Sequence, residues 1–352
     1  MSLGGEASTS DAGGRAVRTA ADRSAEPHRS DARPDSVPSR RAWLEKSGLE
    51  RFSALYLWAG FMVLFGLLEP AFLSSTTFQL VFGEGVVTCV LALAFLVPLA
   101  AGIYDLSVAA VMSLSLCISV YLSLNTDLSP AVGACIALAA SVAVGFVSGF
   151  VVVRLRVNSF IATLGISQVL LAAVIMLSDN RQLVGDFSSG WSELGNTKLA
   201  GVPIFDVYLL GIALAVWFVL EQTPAGRYLY ATGGNPVATR LSGVPVDRVV
   251  WASLVASALI AGLAGVLYSM RNGLFVSTIG PGYLFPAVAA VFLGASQLSR
   301  RPNVWGTLIA YFALAFGVQG LALSATSLSA WTQPLFQGVS LIIAVALASR
   351  RR

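Results

Sequence analysis

Apolar runs of about 20 residues recur along most of this chain, and that is the length an α-helix needs to cross the hydrocarbon of a bilayer. Spans are expected at Phe52–Leu68, Leu80–Ala101, Asp105–Leu124, Pro130–Val153, Phe160–Leu177, Ile204–Leu220, Val249–Met270, Leu284–Leu298, Val304–Leu323 and Trp331–Ala348. The spans number about ten, and the run after Tyr283 is short enough for a partial or re-entrant helix. Inside lipid every backbone N–H and C=O must be satisfied internally, which leaves helices or closed barrels. The alternating pattern of a barrel strand is absent. The sequence therefore specifies an all-α polytopic membrane protein. Its charged fraction agrees, at 11% against about 25% in a soluble domain.

The net charge of +4 does not point to nucleic acid, because residues 1–50 hold eight Lys/Arg and eight Asp/Glu. The excess lies in the membrane part, where it reports topology. With a cytoplasmic N-terminus, the inner side receives Arg51, Arg154, Arg156, Arg227, Arg240, Arg248, Arg300, Arg301 and Arg350 to Arg352, and the outer side only Arg181, Lys198 and Arg271. This positive-inside bias favours an even number of spans with both termini cytoplasmic. Residues 1–40 are rich in Ser, Ala, Gly, Arg and Asp and bury too little to offset the entropy of ordering. Trp43–Glu50 has the pattern of an amphipathic surface piece. The expected division is a tail over 1–50 and a membrane domain over 51–350. No secretory signal peptide is expected, since the first apolar run begins near Phe52.

Covalent chemistry is not expected. The only lysines are Lys46 and Lys198, neither in a phosphate-binding G-x-x-x-x-G-K-[ST] loop. The lone histidine, His28, lies in the tail, which excludes a histidine metal site, a histidine-based triad and a histidine proton relay in the membrane. Cys89, Cys117 and Cys135 sit in apolar runs and read as small hydrophobes. No catalytic residue, metal or cofactor is assigned. Glu84 and Asp105 are the carboxylates nearest a span's interior. Glu84 is expected one turn into its span, reaching towards outer headgroups. Asp105, before an apolar run in Asp105-Leu-Ser107, suits a helix N-cap.

One polar island interrupts the spans: TPAGRYLYATGGNPVATRLSGVPVDR, Thr223 to Arg248. It carries Arg227, Arg240 and Arg248, the pair Gly233-Gly234, and a short helix-like stretch from Asn235 to Leu241. Held on a cytoplasmic face, such a segment offers a docking surface whose arginines can pair with acidic groups on a partner. Elsewhere, Gly145 and Gly149, with Gly262 and Gly265, have the spacing of close helix packing. Val108–Val111 and Val288–Val291 share V-A-A-V, a faint sign of two related halves.

Several of these pieces resemble the permeases of ribose-type ABC importers. A-G-I-Y-D-L-S-V (Ala101 to Val108) is similar to that family's G-G-I-D-L-S-V-G signature, and N-S-F-I-A-T-L-G (Asn158 to Gly165) to its P-P-F-I-A-T-L-G segment. The island is similar to its T-x-x-G-R-x-x-Y-A-x-G-G-N-P-x-A-A-R-x-S-G-I stretch, and Ala261 to Gly265 and Val288 to Ser296 also match. The chain departs from the pattern at Ile103, Tyr104, Ala109 and Ser299-Arg-Arg-Pro302.

The resemblance implies an importer permease translocating a monosaccharide or related small polar solute in a bacterial inner membrane. It implies cytoplasmic ABC ATPase subunits, an extracytoplasmic solute-binding protein and a second permease subunit, identical or not, as partners. It assigns ATPase docking to Arg227, Gly233, Gly234, Asn235, Ala238, Arg240, Leu241 and Gly243. It assigns the substrate path to Asp105, Ser107, Asn158, Phe160 and Thr163. Branched-chain amino acid and nucleoside permeases share the plan, and an ATP-independent secondary carrier is the alternative outside it.

Overall fold

The computed structural model describes residues 53–199, 201–295, 301–324, 334–339 and 342. The expected tail and amphipathic piece, and most of the expected span Trp331–Ala348, lie outside the described residues. Among them, seven helices are long and apolar enough to cross a membrane, joined by the shorter apolar helices Leu55–Leu68 and Ile279–Ala295. Each falls on an expected span.

In chain order the helices are α1 (Ser53–Leu68), α2 (Ser75–Ala100), α3 (Val108–Asn125), α4 (Pro130–Gly149), α5 (Ser159–Leu177), α6 (Ser189–Asn196), α7 (Ile204–Trp217), α8 (Pro224–Gly234), α9 (Pro236–Leu241), α10 (Val246–Asn272), α11 (Ile279–Ala295) and α12 (Val304–Ser324). α4 and α7 each end in a π-helical turn, Phe150–Arg154 and Phe218–Gln222. Short antiparallel pairs lie outside the helices: β1 (Leu183–Val184) with β4 (Leu274–Phe275), and β2 (Lys198–Leu199) with β3 (Val202–Pro203).

α2 is the hub. It begins earlier than its apolar run suggests, because the Ser74 hydroxyl caps it by accepting the Thr77 amide at 3.3 Å. From Gly85 to Pro98 every residue is buried, against α7, α10, α11 and α12. Its far end is set by Pro98 in the last turn and by Gly102, whose φ of +77° reverses the chain.

α10 packs along α4 and α3 through small residues. Gly145 lies against Val255 and Ala258, Gly149 against Trp251, Gly262 against Ser141, and Gly265 against Met112 and Ser115. Between helices in lipid the attraction is van der Waals contact, which close backbone approach increases. Aromatic rings fasten α1 to α12. Phe65, Phe72 and Phe316 are buried there, and the Trp58 ring stacks on Phe316 at 5.8 Å. By contrast α5 is buried over 22% of its apolar window against 83% for α2, so its apolar sides face outward, towards lipid or another chain.

The helices alternate in direction, which gathers six of the eight described arginines at one end. Arg154, Arg156, Arg227, Arg240, Arg248 and Arg301 follow or precede helix ends that meet there. Arg181, Lys198 and Arg271 lie at the opposite end.

Candidate functional site

At the basic end the connection 101–107 links α2 to α3 and carries Asp105 into the protein. The Asp105 carboxylate, 2% exposed, accepts the Ser107 amide at 3.1 Å, the Ser107 hydroxyl, and the Ser257 hydroxyl of α10 at 2.8 Å. The expected cap is corrected in position. Asp105 caps a lead-in turn, and α3 itself starts at Val108 with Ser107 as its flanking residue. The backbone here has few helical partners, so the first turns of α5 supply them. Tyr104 N–H donates to Ser159 Oγ at 3.3 Å and Leu106 N–H to Thr163 Oγ1 at 3.1 Å. The Thr163 hydroxyl in turn donates to the Ser159 carbonyl at 2.9 Å. Asn158 caps α5 by accepting the Phe160 amide at 3.0 Å.

The polar island rests on this same connection. A Cβ on Gly233 would stand 2.4 Å from the Ala100 carbonyl oxygen, and one on Gly102 would stand 3.2 Å from the Gly233 Cα. Two glycines are what lets the backbones touch. Gly234, next along, has nothing within 4 Å of its Cβ position and faces open space. The island is more helical than its glycines and polar residues suggest, since α8 occupies Pro224–Gly234 before the short helix. Asn235 then caps α9, its Oδ1 accepting Val237 N–H at 3.1 Å and Ala238 N–H at 3.0 Å. The Thr239 hydroxyl lies 2.8 Å from the Ala231 carbonyl and fixes α9 on α8. The outer face of α9 is apolar and uncovered, with Val237 69% and Leu241 85% exposed.

Arg240 departs from expectation. Instead of being free for a partner's acid, its guanidinium pairs with Asp247 of α10 at 2.6 Å, because the turn at Gly243 (φ +84°) folds α9 back on the start of α10. Arg227 and Arg248 are exposed. A second cluster went unread in the sequence. Arg301 pairs with Glu221 at 2.6 Å and lies 4.3 Å over the Tyr230 ring, whose hydroxyl donates to the Pro302 carbonyl at 2.8 Å. Burial pushes the Tyr230 phenol well above its usual range, the neighbouring Glu221 adds to this, and Arg301 opposes it.

The structure thus brings Asp105, Ser107 and Thr163 together, all buried and all occupied by hydrogen bonds within the protein. Asn158 and Phe160 lie at the exposed start of α5. None of the five lines the described cavity, which is at the opposite end. That cavity, about 420 Å³, is bordered by Glu84, Thr88, Tyr283, Tyr311, Gln319 and Gln337 among others. Glu84 lies in the third turn of α2, exposed and bordering the cavity, because the helix starts at Ser75. The Ser74-Ser-Thr-Thr77 run before the apolar stretch is the sequence signal for the earlier start.

Apolar helices around a buried polar seam, with an arginine-bearing segment exposed at one end, define a multi-pass membrane permease. The chain belongs to the family described as branched-chain amino acid transport system / permease component, whose family model matches residues 79–345. The ribose import permease protein RbsC of Escherichia coli is 32% identical over 323 residues, 89% of this chain and 98% of that protein. The fructose import permease protein FrcC of Rhizobium meliloti is 33% identical over 81% of each chain. The D-allose transport system permease protein AlsC of Escherichia coli is 28% identical over 85% of this chain and 91% of its own. No solved structure matches the chain.

Proposed function

We propose that this chain is the membrane-spanning subunit of an ABC importer for a monosaccharide or related small polar solute, with its basic end in the cytoplasm. Relatives named for ribose, fructose and allose support the solute class, and the excess of arginines at one end supports the orientation. A solute-binding protein delivers at the opposite face, a second permease subunit completes the path, and separate ATPases supply the energy.

One observation carries the docking part. The segment Thr223–Arg248 is exposed on its outer side at Val237, Ala238 and Leu241, while its inner side, at Gly233, bears on the backbone that holds Asp105. A partner pushing on α9 therefore acts on a rigid contact leading to the α2–α3 connection and, through Ser257, to α10. Gly234 has room for a side chain, so Gly234→Trp obstructs the outer surface without disturbing the inner contact. Affinity purification of the subunit with its native neighbours is the test. Wild type should retain a cytoplasmic ATPase, and Gly234→Trp and Arg240→Glu should lose it while still inserting in the membrane. An ATPase that copurifies equally with both variants, with normal uptake, refutes the assignment.

A further inference from the structure

The cavity at the end opposite the arginines is built from the same end of several helices. Leu80, Glu84 and Thr88 come from the first half of α2, Tyr283 and Pro286 from the first half of α11, and Tyr311 and Gln319 from α12. Residues 336 and 337 close it. From Ala322 to Tyr311 along α12 it descends about 16 Å, roughly half the thickness of a bilayer's hydrocarbon. Its volume of about 420 Å³ lies within the range of small-molecule sites.

Its chemistry is unusual for a membrane interior. Among the described residues no hydrogen bond or ion pair engages the exposed Glu84 or the half-buried Gln319 and Gln337, so all three can meet a solute. The Thr88 hydroxyl lies beside that of Tyr311. A carboxylate accepts hydrogen bonds, a primary amide both donates and accepts, and a phenol does either. The set suits adjacent hydroxyl groups, and the rings of Tyr283 and Phe336 supply flat apolar faces. Among the described residues no Lys or Arg lines the cavity. The nearby Arg271 is occupied elsewhere, donating to the Gly83 carbonyl and lying 5.5 Å from the Phe205 ring centroid. The cation beside the cavity is thus engaged with a carbonyl and a ring, which leaves Glu84 as the charged group among the described lining residues.

We infer that this cavity is a binding site for a neutral polyhydroxylated solute, with Glu84 accepting from its hydroxyls and Gln319 bridging them. The inference rests on the importer reading for its sugar class, and it adds a site for that sugar on the chain itself. Charge-assisted hydrogen bonds from hydroxyls to Glu84 provide most of the affinity.

The test uses the full importer, with its ATPase and binding protein, in liposomes, and tritiated D-ribose and D-fructose as probes. Glu84→Gln and Gln319→Leu should each raise the KM for the transported sugar roughly tenfold or more, the worth of one hydrogen bond with a charged or amide partner. ATPase copurification and solute-free ATP hydrolysis should stay at wild-type levels. Gln319→Cys, placed in a Cys135→Ser background, should react with a membrane-impermeant methanethiosulfonate, and saturating sugar should block the reaction. That labelling also decides the matter if either first variant fails to assemble. Unchanged KM in both variants, or labelling indifferent to sugar, overturns the cavity assignment while leaving the importer reading intact. A wild-type complex that takes up leucine and neither sugar overturns both, and it does so before any variant is made.

Discussion

The two ends of this bundle handle polar groups in opposite ways. At the basic end, Asp105, Ser107, Thr163 and Ser257 are buried and bonded to one another or to backbone, and glycines bring two chain segments into direct contact. At the other end, Glu84, Gln319 and Gln337 border a cavity with no partner among the described residues. Burying a polar group without a partner costs about 1–3 kcal/mol. At the basic end Asp105, Ser107, Thr163 and Ser257 avoid that cost, which makes the α2–α3 connection a firm seat. At the far end Glu84 is exposed and Gln319 and Gln337 are half-buried, so their polar groups are open to a ligand. On the proposed reading, mechanical coupling and solute contact lie in different halves of the same helices, with α2 running through both.

If the basic end is a stiff seat, the largest effect should come from prying it open. Gly233→Val places a branched Cβ within 2.4 Å of a backbone carbonyl, which no rotamer relieves. Overpacking of this kind costs about 1–3 kcal/mol, and we expect uptake to fall at least tenfold with a lowered melting midpoint in detergent. Gly234→Ala, one residue away in open space, should change neither. Wild-type uptake by Gly233→Val would mean the contact does not transmit.

Next in size is the bonded carboxylate. Asp105→Ala leaves the Ser257 and Ser107 hydroxyls without their acceptor, at a cost of about 1–3 kcal/mol. Asp105→Asn retains one oxygen acceptor, and Ser257 can reverse its hydrogen bond, so most of the stability should return. The asparagine variant also separates the two roles given to Asp105. A purely structural residue predicts wild-type KM once the melting midpoint is restored. A raised KM at a restored midpoint would place the solute against Asp105 and blur the division between the ends.

The sequence made the stiff scaffold easier to read than its contacts. Spans follow from apolar run length, and their directions from the arginines, because both depend on local composition and the bilayer. The glycine seat was not legible in the same way. Gly102 and Gly233 are far apart in sequence, and each alone reads as a turn or helix end. The start of α2 was set too late because apolarity begins at Leu80, whereas the helix is capped by the Ser74 hydroxyl. α8 was missed because Gly226, Thr232, Gly233 and Gly234 weaken its helical pattern, and packing on the neighbouring backbone overrides that weakness. Arg240 was legible as a cation but not as a paired one, since its partner depends on the turn at Gly243.

Smaller effects should mark the rim of the seat. Arg301→Ala removes an ion pair and a ring contact, both partly exposed, worth together about 1 kcal/mol. A modest fall in melting midpoint with near-normal uptake is expected. Tyr230→Phe, which keeps the ring and loses the hydroxyl's bonds to the Pro302 carbonyl and to Glu221, should cost about as much. A tenfold loss of uptake in either would enlarge the coupling region to include the α11–α12 connection.

The smallest effect on stability should be at Arg240. Its side chain and that of Asp247 are 65% and 68% exposed, and an exposed pair of this kind is worth about 0–1 kcal/mol. Arg240→Ala should therefore melt as wild type does. Its informative reading is ATPase retention, because the pairing leaves two possible arrangements. If Arg240 exchanges Asp247 for an acidic group on the ATPase, Asp247→Asn frees the guanidinium and retention should hold or strengthen, while Arg240→Ala weakens it. If the pair instead fixes the angle of α9 on α10, both substitutions weaken retention equally, since each releases the same helix. The ratio of the two losses thus tells whether the arginine touches the partner or only aims the apolar face of Val237 and Leu241 at it.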